Sequence, residues 1–221
     1  LLASACRPPP DVALRLPIAG AHPSALVSAS RAALHRGDAA GAVSLAARAL
    51  AAENSLLHQK AILRQPPEWI FDAANRADLP ALVAYAEALY AWADGRGAPT
   101  LVDAQDRIRY AAQRAFELDR TFSHGAPDRL LGLLDASLPN DDGADPIAAV
   151  EHFEAAIAEA PEYLPNRLDY ALVYARPRGD RVLYLQLLAQ VATADPRIAP
   201  DALDENRRAR ARARDLLAVE R

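Results

Sequence analysis

The chain has 221 residues, room for one large helical domain or a short solenoid with a core of ordinary size. Apolar residues make up 52% of it, mostly Ala and Leu, with nine Gly and four Phe; no stretch alternates long enough to form a sheet, so closely packed helices are expected. The net charge of −4 lacks the cationic excess of a general nucleic-acid binder, and the single Cys excludes an intramolecular disulfide.

The first residues, Leu1-Leu2-Ala3-Ser4-Ala5-Cys6, read as the end of an apolar leader, then small residues and a Cys. Bacterial lipoprotein signals close in this way, and the thiol of Cys6 is the expected lipidation site. The usual Leu three places before the Cys is replaced by Ala3. The chain begins with Leu and holds no Met, so a preceding segment is expected. Arg7-Pro8-Pro9-Pro10 cannot continue a helix, because proline lacks the amide donor and clashes with the preceding turn. Residues 7–22 are read as an extended tether and 23–221 as one helical domain. No apolar run approaches the roughly 20 residues that cross a bilayer. Membrane attachment is therefore expected through lipid alone, in the periplasm, with the outer membrane favoured because Arg7 rather than Asp follows the Cys.

A spacing recurs along the rest of the chain. Gly37-Asp38 is followed by Ala42, Ala46, Ala49 and Asn54. Ala144-Asp145 is followed by Ala149, Phe153, Ala156 and Pro161, and Gly179-Asp180 by Tyr184, Leu188, Val191 and Pro196. The offsets are the same in all three. Asp145 and Asp180 stand 35 residues apart, close to the roughly 34-residue tetratricopeptide period. The small residue and Asp make a turn, with Asp capping the second helix of a pair. The next three positions form one helical stripe, whose small side chains let that helix lie close to the first. Pro161 and Pro196 then stop the helix. The leading helices carry Leu130, Leu131 and Leu134 in one unit and Leu168, Ala171, Leu172 and Ala175 in the next. In Leu131-Gly132 the missing side chain admits the neighbouring helix.

A more degenerate unit places Ile108, Ala112 and Ala115 on a stripe that ends near Leu118-Asp119, with a leading helix at about 79–95. The last helix spans roughly 201–219. The expected fold is an all-α superhelix of stacked, tetratricopeptide-like helix-turn-helix repeats, whose concave side takes a peptide, a protein or a ligand.

Large amphipathic side chains stand out in this small-residue background. Trp69, Tyr85, Trp92, Tyr170 and Tyr174 either fill the core between helices or line an apolar groove with donors at its rim. Asn166 and Arg167 open a helix after Pro165, where a guanidinium faces a carboxylate ligand or partner, Glu162, or water. The arginines 207, 208, 210, 212 and 214 spread around their helix, and Asp204 and Glu205 can pair with them. The five His residues make no metal-binding spacing, and there is no phosphate loop or nucleophile elbow. No catalytic residue, metal or cofactor is expected, and the chain is read as a non-enzyme.

From about Leu82 onward, an ordered set of segments carries a family resemblance. The set begins with Tyr85-Ala-Glu-Ala-Leu-Tyr-Ala-Trp92 and with Tyr110 through Ala115-Phe-Glu-Leu-Asp-Arg-Thr-Phe122. It continues with Gly125-Ala-Pro-Asp-Arg-Leu-Leu-Gly132, Ala149-Val-Glu-His-Phe-Glu-Ala-Ala156 and Ala160-Pro-Glu-Tyr-Leu-Pro-Asn-Arg167. It ends with Glu205-Asn-Arg-Arg-Ala209. The chain resembles the T component of tripartite ATP-independent periplasmic (TRAP) transporters. That resemblance implies an envelope lipoprotein with cryptic tetratricopeptide repeats, associated with the periplasmic solute-binding (P) subunit and relaying a small, apolar ligand. It also implies self-assembly into a trimer-like ring around a pore. The alternative is a general repeat scaffold lipoprotein that assists assembly of an envelope complex.

Overall fold

Three aspartates set the architecture, each at the turn where the repeated spacing placed it. In the computed structural model, which describes Leu14 and residues 21–220, Asp38 accepts a hydrogen bond from Gly41 N at 2.9 Å. Asp145 accepts from Ile147 N and Ala148 N at 3.1 and 3.0 Å, and Asp180 from Leu183 N at 3.0 Å. Each carboxylate satisfies amides that the first helical turn leaves without partners. All nine stripe positions behind these caps are buried, and only Tyr184 retains as much as 4% of its surface.

The described residues are mostly helical and contain no strand. The chain divides into two compact units, Leu1–Arg120 and Thr121–Arg221. Cys6, the proline run and most of the expected tether lie outside the described residues. Leu14, within that tether, is buried, and its carbonyl lies 2.8 Å from His58 Nδ1.

In the first unit, α1 (Pro23–His35) and α2 (Ala39–Glu53) form a hairpin. Ser30 ties the pair internally, donating to Ala42 O at 2.9 Å. The short α3 (Ser55–Ile62) and α4 (Pro67–Phe71) follow, and the repeated spacing did not foretell them. Asn54 ends α2 and caps α3 by accepting from Leu57 N. Its amide also donates to Ala73 O and Asp78 Oδ2 at 2.9 and 2.8 Å. Then come α5 (Leu79–Asp94) and α6 (Ala98–Leu118). Helix α5 packs against α1, α2 and α6 and exposes only Pro80, Ala91 and Asp94, as a helix apolar on all sides must. The degenerate unit is present here: Ile108, Ala112 and Ala115 are fully buried on α6, which ends at Leu118.

The second unit contains α7 (Phe122–Ser137), α8 (Pro146–Glu159), α9 (Leu164–Asp169), α10 (Arg181–Thr193) and α11 (Leu203–Val219). A Cβ on Gly132 of α7 would come within 3.3 Å of Ala149 O and the Phe153 ring, so the missing side chain does admit α8. The same pair is joined where His152 Nδ1 lies 2.8 Å from Oδ1 of the fully buried Asp128.

Helix α9 departs from the expected regular stripe. After Asp169 it widens into a π-helical turn over Tyr170–Ala175. Leu168, Ala171 and Ala175 stay buried, while Leu172 becomes half-exposed. The last helix begins at Leu203, because Pro196 and Pro200 each open a 3₁₀ turn before it. No described helix is long and apolar enough to cross a membrane.

Candidate functional site

Two adjoining cavities in the second unit form where three non-helical stretches meet: the left-handed kink near the start of α7, the link from α8 to α9, and the link from α10 to α11. Buried asparagines hold these segments together. Asn166, in the first turn of α9, donates through Nδ2 to His124 O and Ala156 O at 3.1 and 2.9 Å. Asn206, in the first turns of α11, accepts from Leu164 N at 2.9 Å and donates to Glu162 O and Pro196 O at 2.9 and 3.3 Å. Neither has exposed surface. Both satisfy backbone groups that irregular chain would otherwise bury without partners. Asn166 Oδ1 itself has no hydrogen-bond partner.

Ser123, His124 and Gly125 lie in succession in the left-handed region, with φ of 51°, 62° and 73°. Such a conformation costs on the order of 1–2 kcal/mol for each residue other than glycine, so the surroundings must hold it. The His124 ring stacks on Tyr163, its Nε2 lies 3.2 Å from Asp201 Oδ2, and its carbonyl takes the Asn166 bond. At Gly125 the left-handed backbone abuts α8, and a Cβ would meet Ala156 Cα at 3.2 Å.

The first cavity, about 440 Å³, is lined by His124, Pro161, Glu162, Ile198, Ala199, Pro200 and Asp201. The second, about 370 Å³, is lined by Pro161, Leu164, Arg167, Gln190, Thr193, Ala194 and Ile198. Pro161 and Ile198 belong to both. The first holds carboxylates and an imidazole; the second holds a guanidinium. Arg167 Nη1 donates to Pro161 O at 2.6 Å. Burial pulls the pKa of this guanidinium downward, and nearby Glu162 opposes that.

The anticipated site residues separate into different environments. Tyr170 and Tyr174 lie in the π turn, ring centroids 5.4 Å apart, with Phe153 stacked on Tyr170 at 5.0 Å and the Arg178 guanidinium 4.2 Å above Tyr174. Burial, then Glu154, pushes the Tyr170 phenol up to about 12. Tyr170 is 5% exposed and Tyr184 4%, and the Tyr184 hydroxyl has no partner. Of the seven residues proposed for a groove, Arg167 alone lines a described cavity. In the first unit, Tyr85 is fully buried and tilts against Phe71, so it serves the core. Trp92 is half-buried beneath the Arg96 guanidinium at 4.4 Å. Trp69 is 55% exposed, close in sequence to exposed Leu56, Ile62 and Leu63.

The α11 arginines are largely engaged. Arg207 and Arg208 pair with Asp204 and Glu205 one turn away. Arg210 and Arg214 both donate through Nε to Ala192 O near the end of α10. Sequence reasoning passed over His124 and Asn206, although both lie in or beside the quoted segments. The only signal was Gly125 after two residues without an obvious helical role.

The model of one protein family, described as TRAP transporter T-component, matches residues 26–221. No curated protein matches the chain.

Proposed function

The chain belongs to the TRAP transporter T-component family, and from that premise we propose that it is the accessory subunit that binds the periplasmic solute-binding subunit of such a system and passes a small ligand. It acts by recognition, without making or breaking bonds. The observation that carries this reading is the family match over nearly the whole chain, together with three helix pairs capped and striped alike. Repeats of this kind present side chains for binding on a scaffold set by packing.

Two local features support the division of labour. The exposed Leu56, Ile62, Leu63 and Trp69 stand on or beside α3 and α4 of the first unit. Exposed apolar side chains of this size suit a protein partner. The two cavities described above lie in the second unit, and such cavities suit a small molecule. Cys6 serves as the lipid attachment that keeps the protein at the periplasmic membrane face, and copies of the chain assemble around the ligand path.

The test is titration of the purified chain with a TRAP solute-binding protein from the same organism, followed by calorimetry. Saturable binding that weakens at least tenfold in Trp69→Ala supports the proposal. Absence of binding, together with no solute-binding protein recovered from envelope extract, would overturn it.

A further inference from the structure

One residue of the expected tether is sealed against the folded chain. Leu14 is 2% exposed, and its carbonyl accepts a hydrogen bond from His58 Nδ1 at 2.8 Å. The ring nitrogen is the donor here, since a carbonyl only accepts. His58 is half-buried on α3. That helix is itself fixed, because Leu57 and Ala61 are buried and Asn54 caps its first turn. Burying a leucine favours the attached form over the released one by on the order of tenfold to a hundredfold.

This attachment shortens the reach of anything carried on Cys6. Cys6 and Leu14 are eight residues apart in sequence, whereas Cys6 and Pro23, where α1 begins, are seventeen apart. A chain covers at most roughly 3.5 Å per residue, so the limit is about 28 Å from Leu14 against about 60 Å from α1. The two flanks of α3 carry different groups. His58 lies on the same side as Ile62, four residues on, while Leu56, Lys60 and Leu63 follow steps of four and three on the other side. Lys60 Nζ donates to Trp69 O at 2.7 Å, which brings α4 to that second flank. Leu14 is therefore bound where it leaves Leu56, Leu63 and Trp69 uncovered, and each of them is more than half exposed.

We propose that Leu14 is a latch that clamps the lipid tether to α3 and so presents the flank bearing Leu56, Leu63 and Trp69 to its partner at the membrane surface. The proposal rests on the reading that Cys6 carries the lipid and that α3 and α4 receive the solute-binding subunit. It adds where that docking takes place and what holds it there. Released at Leu14, the domain swings on a tether of about twice the length, and the effective concentration of the docking flank at the bilayer falls by roughly threefold.

Cys6 is the only cysteine, so a nitroxide attached to it in the unlipidated full chain reports the anchor point directly. The amide NMR signals of Leu56 to Ile62 should be broadened most. A flexible insert of about ten Gly and Ser residues between Pro10 and Asp11 should weaken that broadening at least threefold. The same insert between Leu16 and Pro17, on the other side of Leu14, should leave it unchanged, since lengthening a loop adds little to its closure cost. Leu14→Asp should act like the first insert, and the pair of inserts keeps the test open should that variant fail to fold. Inserts that act equally, or broadening centred away from α3, would overturn the proposal. The membrane arm uses the lipid-bearing chain with Trp92→Phe, which leaves Trp69 as the one tryptophan. It is bound to phosphatidylglycerol–phosphatidylethanolamine vesicles that carry a quencher on the headgroup. Trp69 emission should be quenched, and at least twofold less with the insert before Leu14; equal quenching overturns the membrane placement. Lack of lipid on Cys6, or lack of subunit binding, would overturn the proposal through its premise. Either is told apart from failure of the latch, because the nitroxide pattern depends on neither.

Discussion

His124 lies flat against Tyr163, ring centroids 4.6 Å apart and planes 6° from parallel, on a backbone coiled in the disfavoured hand. The stack fixes both side chains beside the first cavity. Tyr163 is held from its other surroundings too: the Arg129 guanidinium lies 5.7 Å from its ring and pairs with Asp169 at 3.2 Å. The turn is thus secured by side chains from later in the chain, and its conformation depends on the unit being folded.

Gly125→Ala should destabilise the protein by about 3 kcal/mol, combining left-handed strain with the collision against Ala156. Gly37→Ala is the control. Its φ is +78°, but nothing lies within 4 Å of the added Cβ, so the loss should be only about 1 kcal/mol. Urea denaturation of the two variants separates backbone strain from crowding; equal losses would contradict the close approach.

Replacing Asp38, Asp145 or Asp180 by Ala should cost about 1 kcal/mol each, the ordinary value of a helix cap. Replacement by Asn should cost much less, because its side-chain oxygen accepts the same amides. Melting temperatures of the six variants test whether the three turns are equivalent, as their shared geometry implies.

Asn206→Ala should be far more damaging than a surface change. It strands Leu164 N and removes the donor to two carbonyls, all in a buried setting, for a loss of roughly 2–4 kcal/mol. Hydrogen exchange should accelerate first at the Leu164 amide. Unchanged protection there would show that the contact does not hold the link.

Tyr170 predicts an alkaline limit. Its phenol ionises near 10 when exposed and at about 12 in the fold. Below pH 10 it is neutral in both states, and its full contribution to stability is present. Between 10 and 12 the unfolded form ionises first, and that contribution, on the order of 2 kcal/mol, is lost. Tyr170→Phe should therefore lose less stability than the parent over this interval, measured by denaturant midpoints at successive pH values.

The helical pairs were legible in the sequence because a capping residue, a stripe and a stop recur at constant offsets, and each has a local cause. Asp38 caps a helix through amides three residues away, and Ala42, Ala46 and Ala49 repeat with the helical pitch. The cavities were less legible. Arg167 was visible as a charge after a proline, but its neighbours Gln190 and Ile198 belong to other segments, and only folding brings them together. Asn206 looked like one more polar residue in an arginine-rich helix, since its partners at Glu162 and Pro196 are distant in sequence. Tyr85 and Trp92 share the helical spacing of a common face, yet one is sealed and the other half-covered. The spacing states the direction of a side chain, not what stands in front of it.

The wide turn at Tyr170–Ala175 has a consequence for how Asn166 and Arg167 are aimed. A helix that takes one surplus residue keeps its axis but shifts its phase, by about 100° in ordinary α geometry. Deleting a single residue there would leave a respectable helix whose front half has been rotated like a misaligned key. Asn166 would swing away from the left-handed turn and Arg167 from its chamber, although neither had been altered.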